Sequence, residues 1–326
     1  MKISVALCTF NGEKYIKDQL QSILNQTYKV DEIVITDDGS TDNTIRVIKN
    51  FFLDYNTDFK IRINPKNLGV TKNFETTIKA CNGDIVFICD QDDIWLENKV
   101  ERIIKIFENN KEVDVIFTNA YLVNNQLTKF KDTLWDTIKF NPERSKKNGE
   151  DLFSIFLNRN IATGATMAFR KSFVEKILPM PEEWIHDGWI AITALLEKKL
   201  YAYPEKLILY RQHLHNVIGA KNEGILTKVR KYLGQPDKIT HDNYNKFKRY
   251  ESVIEYISNN SIDVTTTEIN NIKQCVKFWE DKCGIVTRSK LKSIINIMGH
   301  VKKGHYNQFA TGYRAVIKDV FNLLKV

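Results

Sequence analysis

The sequence is poor in the residues that mark flexible linkers and covalent scaffolds. Only 14 glycines and 6 prolines are spread over 326 residues, which argues against long disordered segments. No run approaches the roughly 18 apolar residues that a membrane-spanning helix requires. The five cysteines, Cys8, Cys81, Cys89, Cys275 and Cys283, are odd in number and no two have CxxC spacing. A zinc site or a disulfide framework is therefore not expected. Cys8 and Cys89 lie inside apolar strand-like runs, where a thiol acts as a small core hydrophobe. A reducing cytoplasm suits that usage. The chain opens directly on a strand pattern, without a charged segment, apolar run and small-residue cleavage site, so no secretion signal is expected. A GxGxxG after the first strand is also missing, since Thr9-Phe10-Asn11-Gly12 stands there, and so is a Walker-type GxxxxGK. These absences count against a dinucleotide-dependent oxidoreductase and an NTPase.

What is present is a globular composition: 43% hydrophobic, 11% aromatic and 27% charged residues, enough to bury a sizeable core. The net charge of +8 is unevenly placed. Residues 221–326 hold 19 Lys+Arg against 10 Asp+Glu, and the preceding 220 hold 29 against 30. A near-neutral front thus carries a basic tail, and basic tails meet phosphate, on nucleic acid or on anionic lipid. No zinc finger or RRM-like aromatic motif supports the nucleic-acid reading.

The front of the chain alternates strands and helices. Strands are expected at Ile3–Phe10, Glu32–Thr36, Phe59–Ile63, Asp84–Cys89 and Val113–Asn119. Helices are expected at Glu13–Asn25, at Thr41–Phe52 capped by Ser40 or Thr41, at Val70–Ala80 and at Leu96–Glu108. This alternation predicts a mostly parallel sheet covered by helices on both faces. After Asn124 the pattern loosens, with strands near Thr163–Phe169 and within Tyr201–His213 and a helix over His186–Lys199. From about Lys221 it is mostly helical. A soft domain boundary falls near 216–224.

Open sheets of this type bind ligands beyond the carboxyl ends of their strands, and the segments there are polar. Asp90-Gln91-Asp92-Asp93 follows a buried strand, and three carboxylates in four residues repel one another unless a cation neutralises them. Mg²⁺ or Mn²⁺, with oxygen ligands and positions left for substrate phosphates, meets that need. Asp37-Asp38-Gly39-Ser40 can accept a hydrogen bond from a pyrimidine imide. In Asn67-Leu68-Gly69-Val70-Thr71-Lys72, Lys72 can face a phosphate. His186-Asp187-Gly188-Trp189 places a carboxylate beside an aromatic ring, a reasonable setting for a general base. Tyr210-Arg211-Gln212-His213-Leu214-His215-Asn216 offers cationic groups for a leaving group. Taken singly, each segment also fits an ordinary turn, helix cap or strand end.

Their order is more specific. CTFNGEKYIKDQLQSILNQTY, ITDDGSTDNT, NLGVTKNFETTI, GDIVFICDQDDIW, TGATMAFRKSF, HDGW and YRQHLHNVIG together resemble the successive motifs of family 2 glycosyltransferases, over about residues 1–220. The DQDDIW and YRQH forms resemble the rhamnosyltransferase-like bacterial members that build surface polysaccharides. The resemblance implies a GT-A catalytic domain over 1–220 and inverting, metal-dependent sugar transfer from a nucleoside-diphosphate donor, first dTDP-rhamnose and alternatively a UDP-hexose such as galactose or glucose. It implies donor contacts at Thr9, Asn11, Asp38, Lys72, Asp90, Asp92, Arg211 and His213, and metal ligands among Asp92, Asp93 and His213. Asp187 is implied as the catalytic base, with Thr163, Gly164, His186 and Trp189 on the acceptor side. Cys8 departs from the commoner Pro, and His186-Asp187 from the commoner Glu-Asp. The QxxRW motif of processive synthases is missing, which implies one sugar per acceptor encounter. A sugar-nucleotide binder without activity is the contrasting reading, disfavoured by the retained Asp92 and Asp187.

Residues 221–326 form a basic, mainly helical region for which two roles stand open. Leu291, Ile294, Ile295 and Met298, then Val316, Ile317, Val320, Phe321 and Leu324, recur at helical spacing among cationic residues. Such helices can lie on an anionic membrane surface, or pack on the core or on a second copy of the chain. A cytoplasmic protein, peripheral at the inner face of the plasma membrane in the first case, acting on an oligosaccharide or lipid-linked acceptor and not on nucleic acid, is the resulting expectation.

Overall fold

The structure is a computed structural model that describes the chain apart from residues 56, 148–150, 214–235, 286 and 326. His215, Asn216 and the boundary expected near 216–224 therefore lie outside the described residues. The chain divides into two compact units, one of Met1–Lys147 with Ile161–Ala220, the other of Asn148–Asn160 with Lys221–Val326. A short piece from the middle of the sequence thus joins the C-terminal unit.

The first unit is built on one sheet: β1 (Ile3–Thr9), β2 (Glu32–Asp37), β3 (Phe59–Ile63), β4 (Ile85–Cys89), β5 (Ile94–Trp95), β6 (Val115–Val123), β7 (Lys129–Thr133), β8 (Met167–Arg170) and β9 (Leu200–Arg211). Its helices are α1 (Ile16–Leu24), α2 (Thr44–Phe52), α3 (Val70–Ala80), α4 (Lys99–Asn109), α5 (Leu134–Thr137), α6 (Pro142–Lys147), α8 (Val174–Ile177) and α9 (His186–Leu196), with α7 (Leu152–Asn158) in the other unit. The strand order is β3-β2-β1-β4-β8-β6-β9-β5, with β7 paired to β6. Every residue of β1, β2 and β4 is buried, as expected for parallel strands covered on both faces, whereas β3 is an exposed edge.

The sheet differs from the mostly parallel expectation. It is parallel through β3-β2-β1-β4, but β8 enters antiparallel to both β4 and β6, and β5 and β7 are antiparallel to β9 and β6. Residue periodicity is two in either direction, so it carries no information on strand polarity. Three helix starts also shift, α1 to Ile16, α2 to Thr44 and α4 to Lys99. At the start of α2, Asp42 accepts from the Thr44 backbone N–H, while of the two expected caps Ser40 donates to Asp37 at 2.6 Å and Thr41 donates its N–H to Asn11. Helix α4 begins at Lys99 because Ile94–Trp95 leaves to pair with β9.

Glu32 ties three parts of this sheet together. Only 1% exposed, its carboxylate accepts from the Ser4 hydroxyl on β1, the Asn82 backbone N–H before β4 and, at 2.9 Å, the Lys60 ammonium on β3. Burial opposes its ionisation, but these three donors outweigh it and hold its carboxyl at about 2, below the ordinary 4.5. A folded-state value below the unfolded one means stability that is present above about pH 4.5 and is lost as pH falls toward 2, on the order of 3 kcal/mol. Urea midpoints measured across that window should fall less steeply for Glu32→Gln than for the natural chain.

The second unit contains α7, α10 (Pro236–Asn259), α11 (Thr266–Cys283), α12 (Lys290–Lys302), α13 (His305–Phe309) and α14 (Tyr313–Lys325). Phe278 is its centre, with Tyr306 and His300 edge-on and Phe309 tilted against it. Lys282 pairs with Asp319, which also accepts from the Tyr306 hydroxyl at 2.7 Å. Helix α7 is held here by Asn158, whose amide donates to the carbonyls of Asn307, Gln308 and Ala310 at 2.9–3.1 Å. No helix among the described residues is long and apolar enough to cross a membrane.

Candidate active site

The carboxyl ends of β1, β2 and β4 face a common region, and short polar bridges fix the loops that leave them. Thr9 donates to Asp37 at 2.7 Å, and the other Asp37 oxygen accepts from the backbone of Gly39 and Ser40. Asn11 braces the same turn, accepting from the Thr41 N–H at 2.9 Å and donating its own N–H to Ser40. Asp38 is 2% exposed and reaches across to the segment before α3. One oxygen accepts from Asn64 at 2.9 Å and Leu68 N–H at 2.8 Å, the other from Gly69 N–H at 2.9 Å. Gly69 has φ +81°, a left-handed conformation that glycine adopts without the Cβ penalty. Two motifs that the sequence presents separately are therefore one structure, and much of the Asp38 carboxylate is used in joining them.

Gln91 performs the same service for the acidic segment. Its amide oxygen accepts from Phe10 N–H and its amide nitrogen donates to Phe10 carbonyl, both at 2.9 Å. A Cβ on Gly12 would come within 2.1 Å of that amide oxygen, so the clamp requires glycine there. Asp92 faces His213, with Nε2 and Oδ2 2.8 Å apart, and the imidazole stacks on Tyr15 at 5.0 Å. Asp93 is 1% exposed; one oxygen accepts from Arg211 N–H at 3.0 Å and the other, Oδ2, has no hydrogen-bond partner.

The electrostatics converge on these carboxylates. Burial raises the Asp90 carboxyl above its ordinary value, and the charges of Asp92 and Asp187 push it further. Burial followed by Asp92 and Asp90 raises Asp93. Asp187, in the first turn of α9, thus bears electrostatically on the acidic segment. Its oxygens accept from Gly164 N–H at 3.2 Å and Gly188 N–H at 2.6 Å, which fixes the carboxylate's orientation.

A match to the family model described as "Glycosyl transferase family 2" covers residues 4–178. The chain belongs to glycosyl transferase family 2. An uncharacterised glycosyltransferase of Nostoc sp. is 32% identical over 221 residues, which are 65% of each chain. The dTDP-rhamnosyl transferase RfbG of Shigella flexneri is 26% identical over 66% of this chain and 74% of its own. The chain spans 60–65% of the length of the Nostoc relative and a mycobacterial one. Among solved structures, S. aureus TarS 1–349 in complex with UDP-GlcNAc superposes with a TM-score of 0.61 at 16% identity, covering 99% of this chain and 89% of that one. The Pyrobaculum calidifontis mannosyltransferase PcManGT, in complex with GDP-Man and Mn²⁺, gives 0.52 at 12% identity, covering 99% and 86%. These likenesses establish the GT-A fold.

Within this family 2 chain, several residues singled out from sequence have structural duties. Arg211 is 2% exposed, and its guanidinium donates to the carbonyls of Asp92 and Asn125 at 2.8 Å and lies over the Tyr15 ring. It supports the backbone of the acidic segment instead of presenting its charge to solvent. Lys72 donates to Glu75 at 3.1 Å and to the Met180 carbonyl at 3.0 Å, so its ammonium is engaged outside the acidic segment. Trp189, expected on the acceptor side, is 4% exposed, and its indole N–H donates to the Ile177 carbonyl. His186 stacks on Phe74 at 4.0 Å, and burial holds its pKa down at about 3, so the ring is neutral. A Cβ on Gly164 would sit 2.4 Å from its Nε2, which ties the residue at 164 to this packing. Thr163 closes the short turn before β8 through its carbonyl, which accepts from Thr166.

Lys99 is the residue the sequence reading missed. It is fully buried, donates to Ala165 carbonyl at 2.9 Å and lies 3.8 Å over the Trp95 ring. Burial lowers its pKa to about 7, against the opposing pull of Cys89, Asp93 and Asp90. A signal for it existed: Lys99, Ile103 and Phe107 follow at spacings of four, which places Lys99 on the buried face of α4.

Proposed function

We propose that the protein transfers one sugar from a nucleoside-diphosphate donor to an acceptor hydroxyl with inversion, Asp187 serving as the base. The observation that carries this reading is that Asp187 accepts from Gly164 N–H, next to the Ala165 carbonyl that holds the buried Lys99, and that its charge raises the Asp90 carboxyl. A base there stands beside the place where a departing diphosphate would need to be neutralised. Asp187 accepts the proton of the acceptor hydroxyl as that oxygen forms its bond to the anomeric carbon. The bond from that carbon to the diphosphate breaks on the opposite face, and the diphosphate leaves with the electron pair.

A divalent cation fits the residues present. Among the described residues no three His, Cys, Asp or Glu side chains are arranged to hold a metal by themselves, but Asp92 faces His213 and Asp93 has an unpartnered oxygen. Asp92 and His213 would hold Mn²⁺ or Mg²⁺ with donor phosphates completing the shell, and when bound the ion supplies positive charge to the leaving group. Thr9, Asn11 and Asp38 shape the pyrimidine side, while Arg211 and Lys99 act beneath the acidic segment as positioning residues.

The likeness to RfbG and the DQDDIW and YRQH segments favour dTDP-rhamnose as donor. The fold shared with a UDP-GlcNAc-binding protein keeps a UDP-hexose as the second reading. The acceptor is a growing, lipid-linked surface oligosaccharide. Thermal shifts with dTDP, UDP, GDP and NAD, each with and without Mn²⁺, test the reading, because a ligand of the native state raises the melting temperature. A Mn²⁺-dependent shift with dTDP, larger than with UDP, is expected. A shift with NAD and none with any pyrimidine diphosphate overturns it.

A further inference from the structure

Two helices of the C-terminal unit turn apolar faces outward. On α12, Ser293, Ile297 and His300 are buried, whereas Leu291 is 70% exposed, Ile295 60% and Met298 65%, with Ile294 and Val301 also exposed. These five follow helical spacing and form one stripe along about three turns. On α14, Ala315, Asp319, Asn322 and Leu323 are buried while Tyr313, 67% exposed, Ile317, Val320 and Phe321 face out. Nine large apolar side chains on two neighbouring helices are more than scattered surface exposure accounts for, and contiguous stripes of this kind mark an interaction surface.

The charge around the stripes selects the partner. Lys290, Lys292, Lys302 and Lys303 belong to α12 and its end, and Arg314 and Lys318 to α14. Asp319 is the one acidic residue from Lys282 to Val326, and it is fully buried against Lys282 and Tyr306. The exposed charge of these helices is therefore of one sign. A second copy docking stripe to stripe would bring like charges together without an acidic residue to answer them. A bilayer surface meets both requirements, since acyl chains receive the apolar side chains and anionic headgroups receive the lysines.

We infer that α12 and α14 dock the protein on an anionic membrane surface, with Leu291, Ile295 and Met298 entering the acyl boundary and Lys292 and Lys303 among the basic residues meeting headgroup phosphate. The docking does not depend on the sugar-transfer reading, whose readout is the nucleotide-induced melting shift. Flotation of the full chain tests it, with vesicles of phosphatidylcholine alone or mixed equally with phosphatidylglycerol. The natural chain should float with the mixed vesicles and at least about tenfold less with the neutral ones. Ile295→Glu/Met298→Glu should abolish flotation, and Lys292→Glu/Lys303→Glu should reduce it by a similar factor, both with an unchanged far-UV spectrum and melting temperature. Absence of flotation by the natural chain, or equal flotation by both variants, overturns the inference. So does a concentration-dependent dimer in ultracentrifugation that Ile295→Glu/Met298→Glu dissolves while no form floats.

Discussion

Asp187→Asn will lower the rate of sugar transfer about a thousandfold, within the 10²–10⁴ range of general-base contributions, while the nucleotide-induced melting shift stays at its natural size. The amide has nearly the shape of the carboxylate and can still accept from Gly188 or Gly164 N–H, so the first turn of α9 keeps its geometry. What it loses is the ability to take a proton. Initial rates with the donor identified in the screen, alongside melting curves with that nucleotide, separate the two properties. Transfer at the natural rate would remove Asp187 from the chemistry, and loss of the nucleotide shift would reassign it to binding.

Arg211→Ala is the substitution with the largest expected cost in stability, about 3–5 kcal/mol by urea denaturation followed through tryptophan fluorescence. It empties a buried site, leaves the Asp92 and Asn125 carbonyls without their 2.8 Å donors and uncovers the Tyr15 ring. Unsatisfied buried acceptors and the cavity both contribute. Arg211→Lys should recover little of it, because one ammonium cannot reproduce a planar fork serving two carbonyls and an aromatic face. Full recovery by lysine would show that only the charge of Arg211 matters.

The strands at the front of the chain were readable because their apolar runs are short, β-branched and bounded by turn residues, and the site segments followed from their position at strand ends. Strand direction was not readable in β8, since Met167–Arg170 would look the same parallel or antiparallel. The membership of α7 was hidden for a related reason: Phe153, Phe156 and Leu157 announce a buried helix face, but not which unit buries it. Within the site, Asp90, Asp92 and Asp93 stand out in the sequence as three carboxylates in four residues, and Asp187 as a carboxylate beside an aromatic side chain. The partners of Arg211 and Lys72 were not legible, because a cation in sequence carries no record of which backbone carbonyl it meets. Lys99 was not legible because a lysine in the first turn of a helix reads as a solvated charge, whereas here it is fully buried against Ala165.

The placement of α7 has a consequence for how the chain comes off the ribosome. The carbonyls that hold Asn158 belong to residues made roughly 150 positions later. At ordinary synthesis rates that is a delay on the order of ten seconds, during which Phe153, Phe156 and Leu157 have no native cover. Residues from the C-terminal unit therefore complete an element that was begun before the first unit was finished. A chain ended at residue 220 would lack the Asn307, Gln308 and Ala310 carbonyls and leave the Asn158 amide without the partners that seat α7.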